Sequence, residues 1–454
     1  MSAEQPSGLG QPVRELGMIA PADSEYSQPR AAFWLATGLD ILQHAGIESP
    51  LPITAHSLHT SRIVAEYTDQ EAGTYWVKMY PPGEYFDSPA KHGRFVPAMA
   101  ASGIPTPDLI EQRSARPSGY VCYQGKRGEA GTLDQRLAVR PDQLGAAYRV
   151  IGDIARRMRG MPGCAGCGNV YREATDMMVP ASFISLFVEA GTSDETAQEL
   201  WREHLATVLL NYSATGVLYS DELPSFRTMG SLAVASQHHR RDLVMCHGDL
   251  HPKNIIVSDA DALEVMSVID LDNISRLPPE AELTKLLGDD IGPRGPAALA
   301  CFLENFSATY FLGADKDAAR QATIDLLYRA LFLRMVACME TVNFLIGDGL
   351  KTGEKPPCAQ ILDEISMIMS VANLHRSIYR AEQMLCRPDI SSEDRAELTS
   401  FVAKYKQEAV SVYVQRRADM VRQILAGRFD PESYEPRTDY PYSRPVRRPL
   451  SHAT

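Results

Sequence analysis

Apolar residues recur at helical spacing over 29–45, where Phe33, Trp34, Leu35, Leu39, Ile41 and Leu42 build one face, and Pro50 and Pro52 stop the helix. The spacing then changes. Residues 62–67 and 74–80 are rich in aromatic and β-branched side chains around the polar turn Asp69–Gly73, which predicts two paired strands. A short helix is predicted over 89–102, broken by Gly103-Ile-Pro-Thr-Pro107, with a further strand pair over 108–112 and 119–123. Gly125, Gly128 and Gly131 read as a flexible connector. Beyond it the pattern turns helical at 142–158, 193–210, 297–311, 316–344, 359–385 and 392–425. A single strand-like insert, 244–273, interrupts these helices. The expected class is α+β. In order, the chain reads as a flexible tail (1–28), a helix (29–48), a strand-rich region (49–124), a helix-rich region (125–430) holding the insert, and an irregular tail (431–454). No repeat of 20 to 50 residues is present.

Composition narrows the function classes. The hydrophobic share of 44% and charged share of 22% are those of a globular protein. Lys plus Arg number 45 against 57 Asp plus Glu, a formal charge of −12, and no long basic cluster occurs, which disfavours nucleic acid as a partner. No apolar run reaches the roughly 18 to 20 residues that span a bilayer, and the first 28 residues hold no apolar signal core. A cytoplasmic protein with reduced cysteines is expected. Of the eight cysteines, only Cys164 and Cys167 lie close together, and no second Cys/His pair stands at zinc spacing, so they read as structural thiols.

The insert carries the chemistry. It reads Val244-Met-Cys-His247-Gly-Asp249-Leu-His251-Pro-Lys253-Asn254-Ile-Ile-Val257, a turn at 258–262, then Glu264-Val-Met-Ser-Val-Ile-Asp270-Leu-Asp272-Asn273. Phosphoryl transfer needs positioning and charge stabilisation, a proton acceptor at the attacking hydroxyl, and hard oxygen ligands for magnesium. Asp249 can orient a hydroxyl and accept its proton. Asn254, five residues on, can reach a metal from the end of the same loop. A hairpin pairing of 255–257 with the strand before Asp270 brings that carboxylate back beside Asn254.

Here the chain resembles the aminoglycoside phosphotransferase and choline kinase families of the protein-kinase-like superfamily. His247, Asp249 and Asn254 match H-x-D-x-x-x-x-N, and Val-Ile-Asp270-Leu-Asp stands where the family has its main magnesium-binding Asp. The resemblance is strongest over 244–287. It implies a bilobal fold with a small antiparallel-sheet lobe and a large helical lobe, with ATP (GTP being possible) and Mg2+ between them. Asp249 is then catalytic, and Asn254 and Asp270 hold the metal. Lys78 matches the strand lysine that neutralises phosphate charge. Ser61, with Ser57 and Thr60, offers hydroxyls to phosphates, backbone near Gln124 and Lys126 meets the base, and Lys253 faces either γ-phosphate or solvent, as does His251. His247 supports the loop, Asp272 is a neighbour of the metal ligand, and Glu282 either braces the loop or starts a helix.

Three features depart from the family pattern. The strand lysine normally pairs with a helix Glu, yet Lys91-His-Gly-Arg94 stands there, leaving Glu84 or Asp87 as substitutes. The loop 55–61 lacks glycine. No Ala-Pro-Glu element follows Asp270, which argues against a protein-kinase activation segment and for a small substrate. The expected activity is therefore phosphorylation of a small-molecule hydroxyl. An aminoglycoside or other cationic antibiotic suits the acids Asp289, Asp290, Glu304, Asp363, Glu364 and Glu382, whose bland reading is a solvated helix face. An amino alcohol or sugar is the metabolic alternative. A nucleotide-binding pseudokinase and a protein kinase are the remaining ones.

Overall fold

A computed structural model describes residues 28–48, 50–57, 63–69, 73–80, 88–115, 118–126, 128–163, 165–166, 168–169, 177–178, 243–352, 361, 364–365, 367–368 and 372–428. The chain forms two units. One comprises 1–143, 157–179 and 247–276; the other comprises 144–156, 180–246 and 277–454.

The first unit holds a five-stranded antiparallel sheet in the order β1-β2-β3-β5-β4: β1 Leu51–Ser57, β2 Ile63–Thr68, β3 Thr74–Tyr80, β4 Asp108–Ala115 and β5 Ser118–Gln124. Side chains alternate across the sheet. Tyr75, Val77 and Met79 join Ile63, Ala65, Tyr67, Tyr120 and Cys122 on one face, and helix α1 (Gln28–His44) covers them with Ile41 and Leu42. Gly38 permits that seating, because a Cβ there would lie 1.8 Å from the Tyr67 hydroxyl oxygen. Tyr67 in turn donates to the Leu35 carbonyl at 2.8 Å. The period of two places Trp76, Lys78 and Tyr80 on the opposite face. Helix α2 (Ser88–Ala101) precedes β4, and Gly103–Pro107 joins them.

Two expectations change. Ala55–Ser57 is not loop but the end of β1, paired with β2. The glycine-rich stretch after Gln124 is not simply a connector. It holds β6 (Glu129–Thr132) and helix α3 (Leu133–Val139). Thr132 caps α3 reciprocally with Gln135, and Leu133 and Leu137 bury its inner side. Strands β7 (Ile255–Ser258) and β8 (Val265–Val268) form the expected hairpin, with Ile255 opposite Val268, and β6 pairs with the other edge of β7. Arg136 and Gln143 grip the hairpin turn through the carbonyls of Ala260 and Asp261.

The second unit is helical. α4 (Leu144–Arg159) contributes most of its length, followed by α5 (Pro296–Tyr310), α6 (Lys316–Thr352), α7 (Ala372–Leu385) and α8 (Ser392–Leu425). Aromatic packing ties them: Tyr148 meets Phe302 edge-on at 5.1 Å, and Phe302 stacks on Phe306 at 4.5 Å. The helix expected over 193–210 lies outside the described residues. Among the described residues no helix is long and apolar enough to cross a membrane. The α+β class, with an antiparallel sheet towards the N-terminus and helices towards the C-terminus, is as expected.

Candidate active site

The loop 247–254 is bent by one glycine. Gly248 has φ 78°, and a Cβ on it would come within 2.0 Å of the Asn273 carbonyl oxygen. A side chain there is excluded on both counts. The buried His247 donates from Nε2 to the Ile269 carbonyl at 2.9 Å. Burial lowers its pKa, so the ring is a neutral brace between the loop and the strand preceding Asp270.

At the end of the loop, His251 caps the turn Pro252–Asn254, accepting from Lys253 N at 3.2 Å. The Asn254 amide nitrogen donates to the Asp249 carbonyl at 2.9 Å and to Asp249 Oδ2 at 3.3 Å. That aims the amide oxygen away from Asp249. Ile269 N bonds back to the Asn254 carbonyl at 3.0 Å, setting Asp270 beside Asn254. Asp270 is left-handed (φ 64°, ψ 61°), the one non-glycine residue with positive φ among the described residues. Such a conformation costs an L-residue roughly 1 to 2 kcal/mol, and the strand and turn on either side impose it here.

Lys78 is buried and meets Asp270 Oδ1 at 2.6 Å and Asp272 Oδ2 at 2.5 Å. Both of the acids that pair with Lys78 follow β8, and neither comes from α2. Glu84 and Asp87 lie outside the described residues. Asp272 also accepts from Tyr80 at 2.7 Å and meets His92 Nε2 at 2.8 Å. Lys91 donates to the Asp272 carbonyl at 2.7 Å, and the Tyr123 hydroxyl meets His92 Nδ1. Burial, opposed by the Asp272 charge, keeps His92 below its ordinary pKa and so neutral. Burial and the same charge push Tyr80 well up, so it stays a donor.

The other expected residues divide. Ser61 lies outside the described residues, as do Cys164 and Cys167. Gln124 ends β5 and donates to the Tyr75 hydroxyl at 3.4 Å. The Lys126 carbonyl accepts from Glu129 N at 3.2 Å, and the Trp76 ring packs against Gly125, where a Cβ would lie 2.7 Å from it. The Lys253 side chain is exposed. His251 faces neither solvent alone nor an empty space: its Nε2 lies 3.4 Å from Asp249 Oδ1. Glu282 is buried by Cys246, whose thiol is pushed well up by burial and then by that carboxylate.

The described acids expected to serve a cationic substrate each have a partner within the chain. Asp290 accepts from Tyr148 and Arg294, Asp289 pairs with Arg334, Glu304 with Lys316, and Glu382 with Lys406. Glu364 is buried between Arg334 and Arg417. Asp363 lies outside the described residues. The solvated-face reading fails for Asp290 and Glu364, which are 4% and 1% exposed.

The donor set around Asp270 fits a hard cation. It offers one carboxylate and one amide oxygen, the kind of pair magnesium accepts when phosphates and waters supply its other positions. No group of three or more His, Cys, Asp and Glu side chains converges as a metal cage among the described residues.

The profile of the APH phosphotransferase enzyme family matches residues 60–320. A search of the curated proteins finds no match. Among solved structures, an ethanolamine kinase from Plasmodium vivax is similar at 12% identity and TM-score 0.47, covering 77% of this chain and 90% of that one. A choline/ethanolamine kinase family protein from Mesorhizobium loti is similar at 13% identity and TM-score 0.44, covering 84% and 99%. A thermostable mutant of an aminoglycoside phosphotransferase, in ternary complex with AMP-PNP and hygromycin B, is similar at 13% identity and TM-score 0.42, covering 71% and 96%.

Proposed function

We propose that this chain, which belongs to the phosphotransferase enzyme family, moves the γ-phosphoryl group of ATP to a hydroxyl of a small molecule. The observation that carries the reading is that two side-chain pairs, Asp249 with Asn254 and Lys78 with Asp270, are joined by a backbone hydrogen bond. Asp249 and Asn254 are bonded to each other, Asn254 is tied through its carbonyl to the residue before Asp270, and Asp270 is paired with Lys78.

Asp249 orients the acceptor hydroxyl and takes its proton as the oxygen–phosphorus bond forms. The bond from the γ-phosphorus to the β–γ bridging oxygen breaks, leaving a phosphate ester and ADP. His251 and Asn254, both against Asp249, hold its carboxylate in place. Lys78 neutralises phosphate charge. Asp270 and the Asn254 amide oxygen are the residues to hold magnesium, which when bound supplies charge neutralisation at the phosphate oxygens. Trp76, on the Lys78 face and against Gly125, gives the nucleotide base a flat apolar neighbour. Ser61 and Lys253 are assigned to the phosphates, and the backbone around Gln124 and Lys126 to the base edge.

The acceptor is set at the level of a small-molecule alcohol. The described acids that favoured a cationic antibiotic are engaged by Arg, Lys and Tyr, so charge no longer separates that class from amino alcohols and sugars. ADP release is to be followed with ATP or GTP, with and without magnesium, across cationic antibiotics, amino alcohols and sugars. Release that needs both magnesium and one acceptor class is expected. Magnesium-dependent nucleotide binding without turnover on any acceptor favours the pseudokinase instead, and labelling of protein in place of small molecules favours a protein kinase.

A further inference from the structure

We infer that Asp272, held by His92 of α2, is the residue that aims the Lys78 ammonium, leaving Asp270 as the carboxylate that ligands reach; the inference rests on the phosphotransferase reading above. A lysine taken out of water needs an anionic partner close by. The helix α2, Ser88–Ala101, holds no Asp or Glu. Its buried polar residues are Lys91 and His92, 4% and 1% exposed, and both reach Asp272. The helix thus grips the acid that grips the lysine.

The two acids at Lys78 are unequal. The Asp272 side chain is 0% exposed, with Lys78 on one oxygen and Tyr80 and His92 on the other. The Asp270 side chain is 20% exposed. An ammonium is a compact charge with three rotatable donors. It can keep Asp272 while a phosphate oxygen takes the place of Asp270. His92 is fixed in its turn by Tyr123 of β5, so a chain of bonds runs Tyr123–His92–Asp272–Lys78. The tautomer that satisfies it carries the proton on Nε2, facing Asp272, and accepts from Tyr123 at Nδ1.

Because His92 is neutral, His92→Leu removes the bond to Asp272 without changing the charge around the nucleotide. ATP affinity is to be measured by calorimetry, with and without magnesium, at a temperature where melting curves show each variant folded. His92→Leu is expected to weaken ATP binding about tenfold, the scale of one hydrogen bond to a charged group. His92→Gln, which keeps an N–H donor, should stay within about twofold of wild type, and Tyr123→Phe should weaken binding about threefold. Each loss should vanish in a Lys78→Met background, because a positioning residue acts through the group it positions. If His92→Leu does not fold, Tyr123→Phe decides in its place. Unchanged affinity in these variants, or a loss that persists at full size without Lys78, overturns the inference. Absence of nucleotide binding by the wild type sinks the phosphotransferase reading instead, so the two failures are distinguishable.

Discussion

Asp272 in the first unit and Glu364 in the second are both buried carboxylates, and each is met by a tyrosine hydroxyl and two nitrogen-bearing side chains. Asp272 has Lys78, His92 and Tyr80. Glu364 has Arg334, Arg417 and Tyr413. The difference lies in the bases and in what stands next to them. Arg334 reaches both Glu364 oxygens, at 2.7 and 3.0 Å, in a planar fork that cannot turn without breaking both bonds. Its other contact, with Asp289, closes the group further. Lys78 holds Asp272 by a single rotatable ammonium and touches a second, more exposed acid. The lysine pair can re-aim a charge; the arginine cluster can only hold helices together. Burial of an ion pair by itself does not identify a working site.

The largest expected effect tests the working side. Asp249→Asn should lower turnover by about two to four orders of magnitude, as removal of a general base does; turnover close to wild type would take that role from Asp249. On the holding side, Glu364→Ala takes the buried carboxylate from Arg334, which keeps only the half-exposed Asp289, and from the half-buried Arg417. It should cost roughly 3 to 5 kcal/mol in denaturant titrations, while ATP affinity of the folded fraction stays unchanged. A stability loss of under about 1 kcal/mol would mean that the cluster behaves like a surface pair.

The same cluster makes a prediction for acid. Burial alone would raise the Glu364 pKa, but Arg334 and Arg417, with bonds from Arg334 and Tyr413, outweigh it and hold the carboxyl at about 2 against an ordinary 4.5. A depressed folded-state pKa stabilises fully above the unfolded value and is lost as pH falls from about 4.5 towards 2, on the order of 3 kcal/mol. Glu364→Gln should flatten the stability profile in that window. An unchanged slope would show that other groups carry the acid response. The smallest effect lies away from both clusters. Thr132→Ala removes the cap of α3 and should cost about 1 kcal/mol, with little change at Asp249.

The hairpin was legible in the sequence because its chemistry is local. His247, Asp249 and Asn254 lie within eight residues, and Asp270 follows one turn later. The α6 and α8 starts at Lys316 and Ser392 were legible for the same reason, since apolar spacing marks them. β1 leaves little trace in the sequence, because Pro52 interrupts it and Leu51 and Ile53 point to solvent, so no buried alternation marks it. Gly125, Gly128 and Gly131 mask β6 and α3 in the sequence, although Thr132 and Gln135 stand at capping-box spacing. The partners of Asp272 could not be read at all. Tyr80 and His92 lie 192 and 180 positions away, and only the fold brings them together. The engagement of Glu364 is hidden likewise, its partners being Arg334 and Tyr413 from other helices.

Asp270, the left-handed residue whose carboxylate pairs with Lys78, is the centre of the proposed site. Calorimetric titration of ATP into the wild type and into Asp270→Asn, each in the presence and absence of magnesium, tests its role without knowledge of the acceptor. Magnesium should strengthen ATP binding to the wild type by about tenfold or more and leave the variant nearly indifferent. An equal magnesium response in both proteins would contradict a metal-holding Asp270 and the site built around it.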